Sequence, residues 1–241
     1  MSESLYIYFF KPGWIITLSK DISMNNRRNA STRKIDLLHQ LAIFLVKKRI
    51  MPSQVSILSS VFSLVAALLF ISASSHKDST LHLSLENQIL LLTLALIGIQ
   101  LRLACNLIDG LMATEGALKT KSSELFNDVP DRLSDVMILL GVGYFAQQLT
   151  LSWLACVLAL STAYIRVLGA SLTGKHDFVG PMAKQNRMLV ITLGTLSTIF
   201  EIALDLKIGY FLYLSLIVIC LGSALTCARR LYRIYLILEK G

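Results

Sequence analysis

The sequence predicts an all-α fold: a polytopic membrane bundle of about six transmembrane helices with an N-terminal juxtamembrane amphipathic helix. The chain has 241 residues, of which 54% are hydrophobic and 16% are charged, a composition typical of a polytopic membrane protein. A spanning helix needs roughly 20 apolar residues, and about six segments of the chain approach that length. Membrane barrels would instead show alternating segments of about ten residues, so these segments predict helices.

The predicted spans follow one another with short connections. They cover approximately residues 54 to 74, 88 to 108, 133 to 149, 151 to 172, 187 to 205 and 208 to 227. The letters QQLT between the third and fourth spans predict a tight antiparallel hairpin. The four cysteines lie in or at the ends of spans without a CxxC pair, which favours packing residues over a zinc site or a disulfide framework.

The basic residues predict the orientation. The net charge is +8, and Lys and Arg gather before span one, between spans two and three, between spans four and five, and after span six. The opposite ends carry Lys77 and Lys207. By the positive-inside rule the first set is cytoplasmic, which places both termini and the polar motifs below on the cytoplasmic side of a bacterial-type inner membrane. The positive charge therefore reflects topology, and nucleic acid is not an expected partner.

The chain divides into an N-terminal cytoplasmic segment, residues 1–32, and a membrane domain, residues 33–241. Residues 33–50 carry apolar side chains at helical spacing with basic residues at both ends. This pattern predicts either an amphipathic helix in the membrane interface, attracted to anionic lipid, or a helix packed on the cytoplasmic end of the bundle.

Oxygen-bearing side chains cluster around the second and third spans. Asn106 and Asp109 are three residues apart and share one helix face beside Gly110, where the missing side chain permits close approach of a ligand. Further along, three- and four-residue spacings again put several polar side chains on one face: Asn127, Asp128, Asp131 and Asp135. We expect Pro130 in the first turn of the third span.

Carboxylate and amide oxygens without His or thiolate suit hard cations such as Mg²⁺, Mn²⁺ or Ca²⁺. The alternative interpretation is that the acids cap the third span and pair with Arg132 and loop lysines. Ionisable groups at membrane helices are usually functional, which favours a site.

The two stretches resemble the motif of the CDP-alcohol phosphatidyltransferases, D-x-x-D-G-x-x-A-R, eight residues, then G-x-x-x-D-x-x-x-D. The chain has N-L-I-D-G-L-M-A-T from Asn106 to Thr114 and S-E-L-F-N-D-V-P-D from Ser123 to Asp131, with the same spacing throughout. It departs from the pattern at four positions: Asn106 and Asn127 replace two aspartates, Thr114 replaces the arginine, and Ser123 replaces the second glycine. A shifted register that uses Asp131 and Asp135 as the last two aspartates is the less favoured alternative.

The resemblance implies transfer of a phosphatidyl group from CDP-diacylglycerol to a small alcohol with release of CMP, in a protein surrounded by membrane lipids and often homodimeric. It implies Mg²⁺ or Mn²⁺, as a pair of ions, and Asp131 as general base. The candidate metal ligands are Asn106, Asp109, Asn127, Asp128, Asp131 and Asp135. The resemblance also implies substrate contacts for Gly110, Ala113 and Ser123 within the motif, and for Arg132, which directly follows its last aspartate.

Three basic residues look like those that phosphatidylglycerophosphate synthases use around the acceptor phosphate: Arg166, Lys184 and Arg187. Glycerol 3-phosphate is therefore the preferred acceptor. Lys184 and Arg187 also fit a positive-inside anchor, whereas Arg166 lies within an apolar span, where an unpaired cation is costly. Two other functions stay open at this point: a membrane ion or solute transporter, and a catalytically inactive relative of the family.

Overall fold

The computed structural model describes residues 40–48, 50–74, 84–115, 123–174, 179–204 and 209–240. Its helices are α1 (40–47), α2 (Pro52–Ala73), α3 (Leu85–Glu115), α4 (Ser123–Phe145), α5 (Leu149–Thr173), α6 (Lys184–Ala203) and α7 (Tyr210–Lys240). These ranges contain no β-strand. The predicted all-α class is therefore confirmed.

The polytopic character is also confirmed, but the number of strongly apolar helices is lower than expected. Within the described ranges, four helices are long and apolar enough to cross a membrane: Pro52–Ala73, Leu85–Met112, Leu149–Thr173 and Tyr210–Glu239. The helices α4 and α6 fall short because polar residues occupy part of their length. The first half of α4 carries the acidic motif, and α6 contains Lys184, Arg187 and Glu201.

The helices run up and down the bundle, with their packing centred on small and aliphatic side chains. Helix α2 packs against α3 and α4, α5 against α4 and α7, and α6 against α3 and α7. Fully buried residues such as Phe70, Leu92, Ile138 and Leu212 form one continuous core. Because the helices alternate in direction, the end of α3, the start of α4 and the start of α6 lie at the same end of the bundle.

The predicted hairpin between the third and fourth spans is present, because three residues, 146–148, connect α4 to α5.

The expectation for Pro130 was wrong. Helix α4 begins at Ser123, so Pro130 lies inside it instead of in its first turn. Its carbonyl accepts a hydrogen bond from the Ser60 hydroxyl of α2 at 3.2 Å, so a neighbouring helix contacts the chain where the proline interrupts the regular pattern.

The described part of the N-terminal helix, α1, packs on the bundle, as one of the two predicted arrangements requires, and the interfacial arrangement stays a prediction. Ala42 is buried in a small cluster with Val55 of α2 and Met112 of α3, whereas Phe44 is exposed. One face therefore packs on the bundle, and the other presents apolar surface. Residues 33–39 of the predicted amphipathic helix and the proposed segment 1–32 lie outside the described residues, so the boundary between the two domains stays a prediction.

Candidate active site

Six helices contribute polar side chains to one end of the bundle. The start of α2, the end of α3 and the start of α4 bring Ser56, Asp109 and Asp131 together. The second half of α5, the start of α6 and the second half of α7 add basic side chains opposite them. Because neighbouring helices are antiparallel, motif positions far apart in sequence meet here.

The two halves of the motif are in direct contact in the structure. The carboxylate of Asp109 accepts a hydrogen bond of 2.7 Å from the Ser56 hydroxyl and interacts electrostatically with Asp131 and Lys184. Asn106 contacts both Asp131 and Lys184. In the amide orientation that pairs donors with acceptors, its nitrogen lies 2.9 Å from an Asp131 oxygen and its oxygen lies 3.0 Å from Lys184 Nζ. Lys184 also forms an ion pair with Asp131.

Asp128 lies at the wider part of the site and is held by two arginines. Arg132, one turn later, contacts it at 2.8 Å, and Arg166 of α5 contacts it at 3.0 Å. Partial burial raises the pKa of Asp128, but the two guanidinium groups outweigh burial and hold the pKa below its usual value. Asp128 therefore carries a negative charge between two cations.

Asp135 lies deeper and is fully enclosed by two buried arginines. Arg187 of α6 donates to it at 2.7 Å, and Arg102 of α3 forms an ion pair with its other oxygen. The side chains of both arginines are almost completely buried. The sequence reasoning missed Arg102, although a lone arginine within an apolar span is the same signal that singled out Arg166.

A cavity of about 520 Å³ opens beside the acids. It is lined by basic and acidic side chains together with small ones, including Asp128, Asp131, Arg132, Arg166, Lys184, Arg187 and Arg230. Arg230 of α7, also missed from the sequence, donates to the carbonyl oxygens of Thr162 and Val179. Arg230 belongs to the basic stretch after span six that predicts a cytoplasmic end, and its burial results from the packing of α7.

Two arginines of the cavity retain hydrogen-bonding capacity. In the described part of the chain, the buried Nε groups of Arg132 and Arg187 have no hydrogen-bond partner. Buried donors are normally paired, so these two groups are exceptions. The five basic side chains that line the cavity suit an anionic ligand, because guanidinium groups bind phosphate and carboxylate through several hydrogen bonds.

The donor set for a metal ion is smaller than the motif suggested. Among the described residues no three His, Cys, Asp or Glu side chains are grouped to hold a metal ion. Asp109 interacts electrostatically with Asp131, and the Asn106 amide contacts Asp131. The oxygen atoms of these residues suit Mg²⁺ or Mn²⁺ better than a softer metal. Gly110 is exposed beside them, and a Cβ added there would meet no atom within 4 Å.

Three of the predicted site positions can be located only by their backbone. Ala113 lies in α3, and Ser123 and Asn127 lie in the first turns of α4. Their side chains are outside the described part of the structure, so their predicted roles stay predictions.

The structure of the bundle is similar to solved structures of a Mycobacterium tuberculosis phosphatidylinositol phosphate synthase. The complex of that enzyme with manganese and citrate has a TM-score of 0.66 and 18% sequence identity, over 82% of this chain and 88% of the synthase. The chain has the synthase fold. The synthase with CDP-DAG bound has a TM-score of 0.65 and 17% identity, over 83% of this chain and 94% of the synthase.

The resemblance inferred from the motif is thus confirmed at the level of the synthase fold. In sequence, the chain is 24% identical to the inner membrane protein YnbA of Escherichia coli (strain K12) over 160 residues, which is 65% of this chain and 72% of YnbA. No family model matches the sequence. The spacing of the motif and the shape of the bundle therefore identify this relationship better than overall sequence similarity does.

Proposed function

We propose that the chain transfers the phosphatidyl group of CDP-diacylglycerol to a phosphorylated alcohol, preferably glycerol 3-phosphate, and releases CMP. One observation carries the proposal: the Asp131 carboxylate, which interacts with Asp109, borders a cavity of about 520 Å³ lined by five basic side chains, Arg132, Arg166, Lys184, Arg187 and Arg230. Acids and fixed cations at one end of a membrane bundle suit a reaction at a lipid pyrophosphate.

The acids have distinct proposed roles. Asp109, Asp131, Asn106 and Asn127 would hold Mg²⁺ or Mn²⁺, which when bound neutralises the charge of the pyrophosphate. We assign Asp128 and Asp135, which the sequence also offered as metal ligands, to anchoring arginines of the cavity, because each contacts two guanidinium groups. This assignment favours the unshifted register, in which Asp131 is the last aspartate of the motif.

The chemical step is a displacement at phosphorus. The acceptor hydroxyl oxygen attacks the lipid-side phosphorus, a new P–O bond forms, and the bond to the CMP phosphate breaks as CMP leaves with the electron pair. Asp131 is the proposed general base that takes the hydroxyl proton, since its carboxylate borders the cavity. Gly110, Ala113 and Ser123 are proposed to lie along the bound CDP group.

The basic cavity supports a phosphorylated acceptor over a neutral alcohol. The guanidinium groups of Arg132 and Arg187 line the cavity, where such groups can bind phosphate oxygens through charge-assisted hydrogen bonds. Arg166 and Arg230 add positive charge to the same cavity. A neutral alcohol would not offset this charge, whereas a phosphate group would.

The proposal is tested by measuring CMP release from CDP-diacylglycerol with purified protein, Mg²⁺ or Mn²⁺ and a panel of alcohols. We expect metal-dependent release that is abolished by Asp109→Ala. Asn87→Ala, an exposed change at the other end of the same helix, is the matched control and should retain activity. No release above the Asp109→Ala blank with any alcohol would contradict the enzyme and favour an inactive relative.

A further inference from the structure

Asn106, Asp131 and Lys184 form a closed group of contacts in the middle of the site. The Asn106 nitrogen donates to one Asp131 oxygen at 2.9 Å, and its amide oxygen accepts from Lys184 Nζ at 3.0 Å. The Lys184 ammonium also pairs with the second Asp131 oxygen. Each polar atom of the group thus finds a partner in the protein itself.

The identity of residue 106 decides whether this group needs an ion. Two carboxylates about 3 Å apart cannot both stay ionised without a cation between them. An aspartate at position 106 would leave two negative charges with the single positive charge of Lys184 and so favour a further cation, whereas the Asn106 amide donates directly to Asp131. The amide removes one negative charge and supplies a proton donor in the same place.

The charges of the site also argue against two divalent ions. The described acids are Asp109, Asp128, Asp131 and Asp135, and the described bases facing them are Arg102, Arg132, Arg166, Lys184, Arg187 and Arg230. The bases outnumber the acids before any metal binds. Each further divalent ion adds repulsion in a partly buried site, where Coulomb interactions are weakly screened.

We propose that the Lys184 ammonium takes the place of one divalent cation, so that this chain binds one Mg²⁺ or Mn²⁺ ion where its motif suggests two. Asp109 holds the single ion together with Asp131, whose two oxygens each have a further lone pair beside the one used by Asn106 or Lys184. The inference rests on the proposed function for the identity of the ion. Its test measures binding alone, so it can succeed or fail whether or not CMP is released.

The direct test is a Mn²⁺ titration of the purified full-length protein in lipid nanodiscs, followed by the electron paramagnetic resonance signal of free Mn²⁺. Empty nanodiscs measure binding to lipid. We expect one protein-bound Mn²⁺ per chain, lost in Asp109→Ala. Two bound ions per chain, or none, would overturn the proposal.

A designed variant tests the role of Lys184 in the opposite direction. Asn106→Asp combined with Lys184→Met restores a carboxylate and removes the ammonium, so the number of bound Mn²⁺ ions should rise from one to two. Asn87→Asp makes the same chemical change at the exposed far end of α3 and should still bind one. A double variant that folds, by its thermal melting curve, and still binds one ion would contradict the proposal.

Discussion

At the residue scale, the buried network around Asp135 is the most demanding part of the site. Two arginines with almost no exposed surface share this one carboxylate, and one of them, Arg187, also lines the cavity. Removing one partner of a buried ion pair leaves an uncompensated charge, whereas the pair itself adds little net stability. The main effect of Asp135 is therefore to fix the position of Arg187, and its net contribution to the stability of the fold is small.

We expect Asp135→Asn to lower the free energy of unfolding by about 3–5 kcal/mol, because both arginines lose their ionic partner. The matched control is Asp128→Asn, whose side chain is 43% exposed and should cost about 1 kcal/mol or less. Unfolding in mixed micelles by increasing SDS measures both. Equal stability of the two variants would contradict the assignment of Asp135 to a buried structural role.

Single residues were predictable from the sequence when their own type and spacing carried the signal. Asp109, Asp131 and Lys184 stood out in this way, and the structure brings them together. Arg102 and Arg230 were missed because their importance depends on burial against other helices. Pairings such as Arg102 with Asp135 join residues in different helices, and no local pattern specifies them.

At the element scale, helices α2 and α4 pack very closely against each other. Gly141 of α4 lies against Ala67 of α2, and a Cβ at position 141 would be 2.8 Å from both the Cα and the carbonyl oxygen of Ala67. Because the contact is with backbone, a side chain there cannot be accommodated by a rotamer change.

We expect Gly141→Ala to separate α2 from α4 and to destabilise the fold by about 1–3 kcal/mol, the usual cost of overpacking. Gly110→Ala is the comparison, since a Cβ there meets no atom within 4 Å and alanine favours a helix by about 1 kcal/mol over glycine. The Gly110→Ala variant should melt at the same temperature as the unmodified protein or higher. It should release less CMP, because the added methyl group occupies space beside the site. A Gly141→Ala variant as stable as Gly110→Ala would contradict the packing argument.

The existence of the helices was predictable from apolar length, but the start of α4 was not. Its first turns are as polar as a loop, and Pro130 suggested a helix beginning near residue 130. The structure starts the helix at Ser123, where its acids face basic residues of α5 and α6. These tertiary contacts outweigh the local preferences of the sequence.

At the scale of the whole molecule, the bundle separates a lipid-facing apolar surface from a polar end that gathers the charged groups of five helices, α3 to α7. The fold similarity to the synthase covers most of both chains. The cytoplasmic position of this end, the bacterial-type inner membrane and a homodimer remain predictions, which follow from the distribution of basic residues and from the family resemblance.

The central claim is that this polar end transfers a phosphatidyl group to an alcohol that carries a phosphate. The most direct measurement compares CMP release from CDP-diacylglycerol with glycerol 3-phosphate and with glycerol, which differ in the phosphate alone. We predict at least a tenfold preference for glycerol 3-phosphate, about 1.4 kcal/mol, which is reduced in Arg166→Gln. Equal rates with the two acceptors, or CMP release that Arg166→Gln leaves unchanged, would contradict the account.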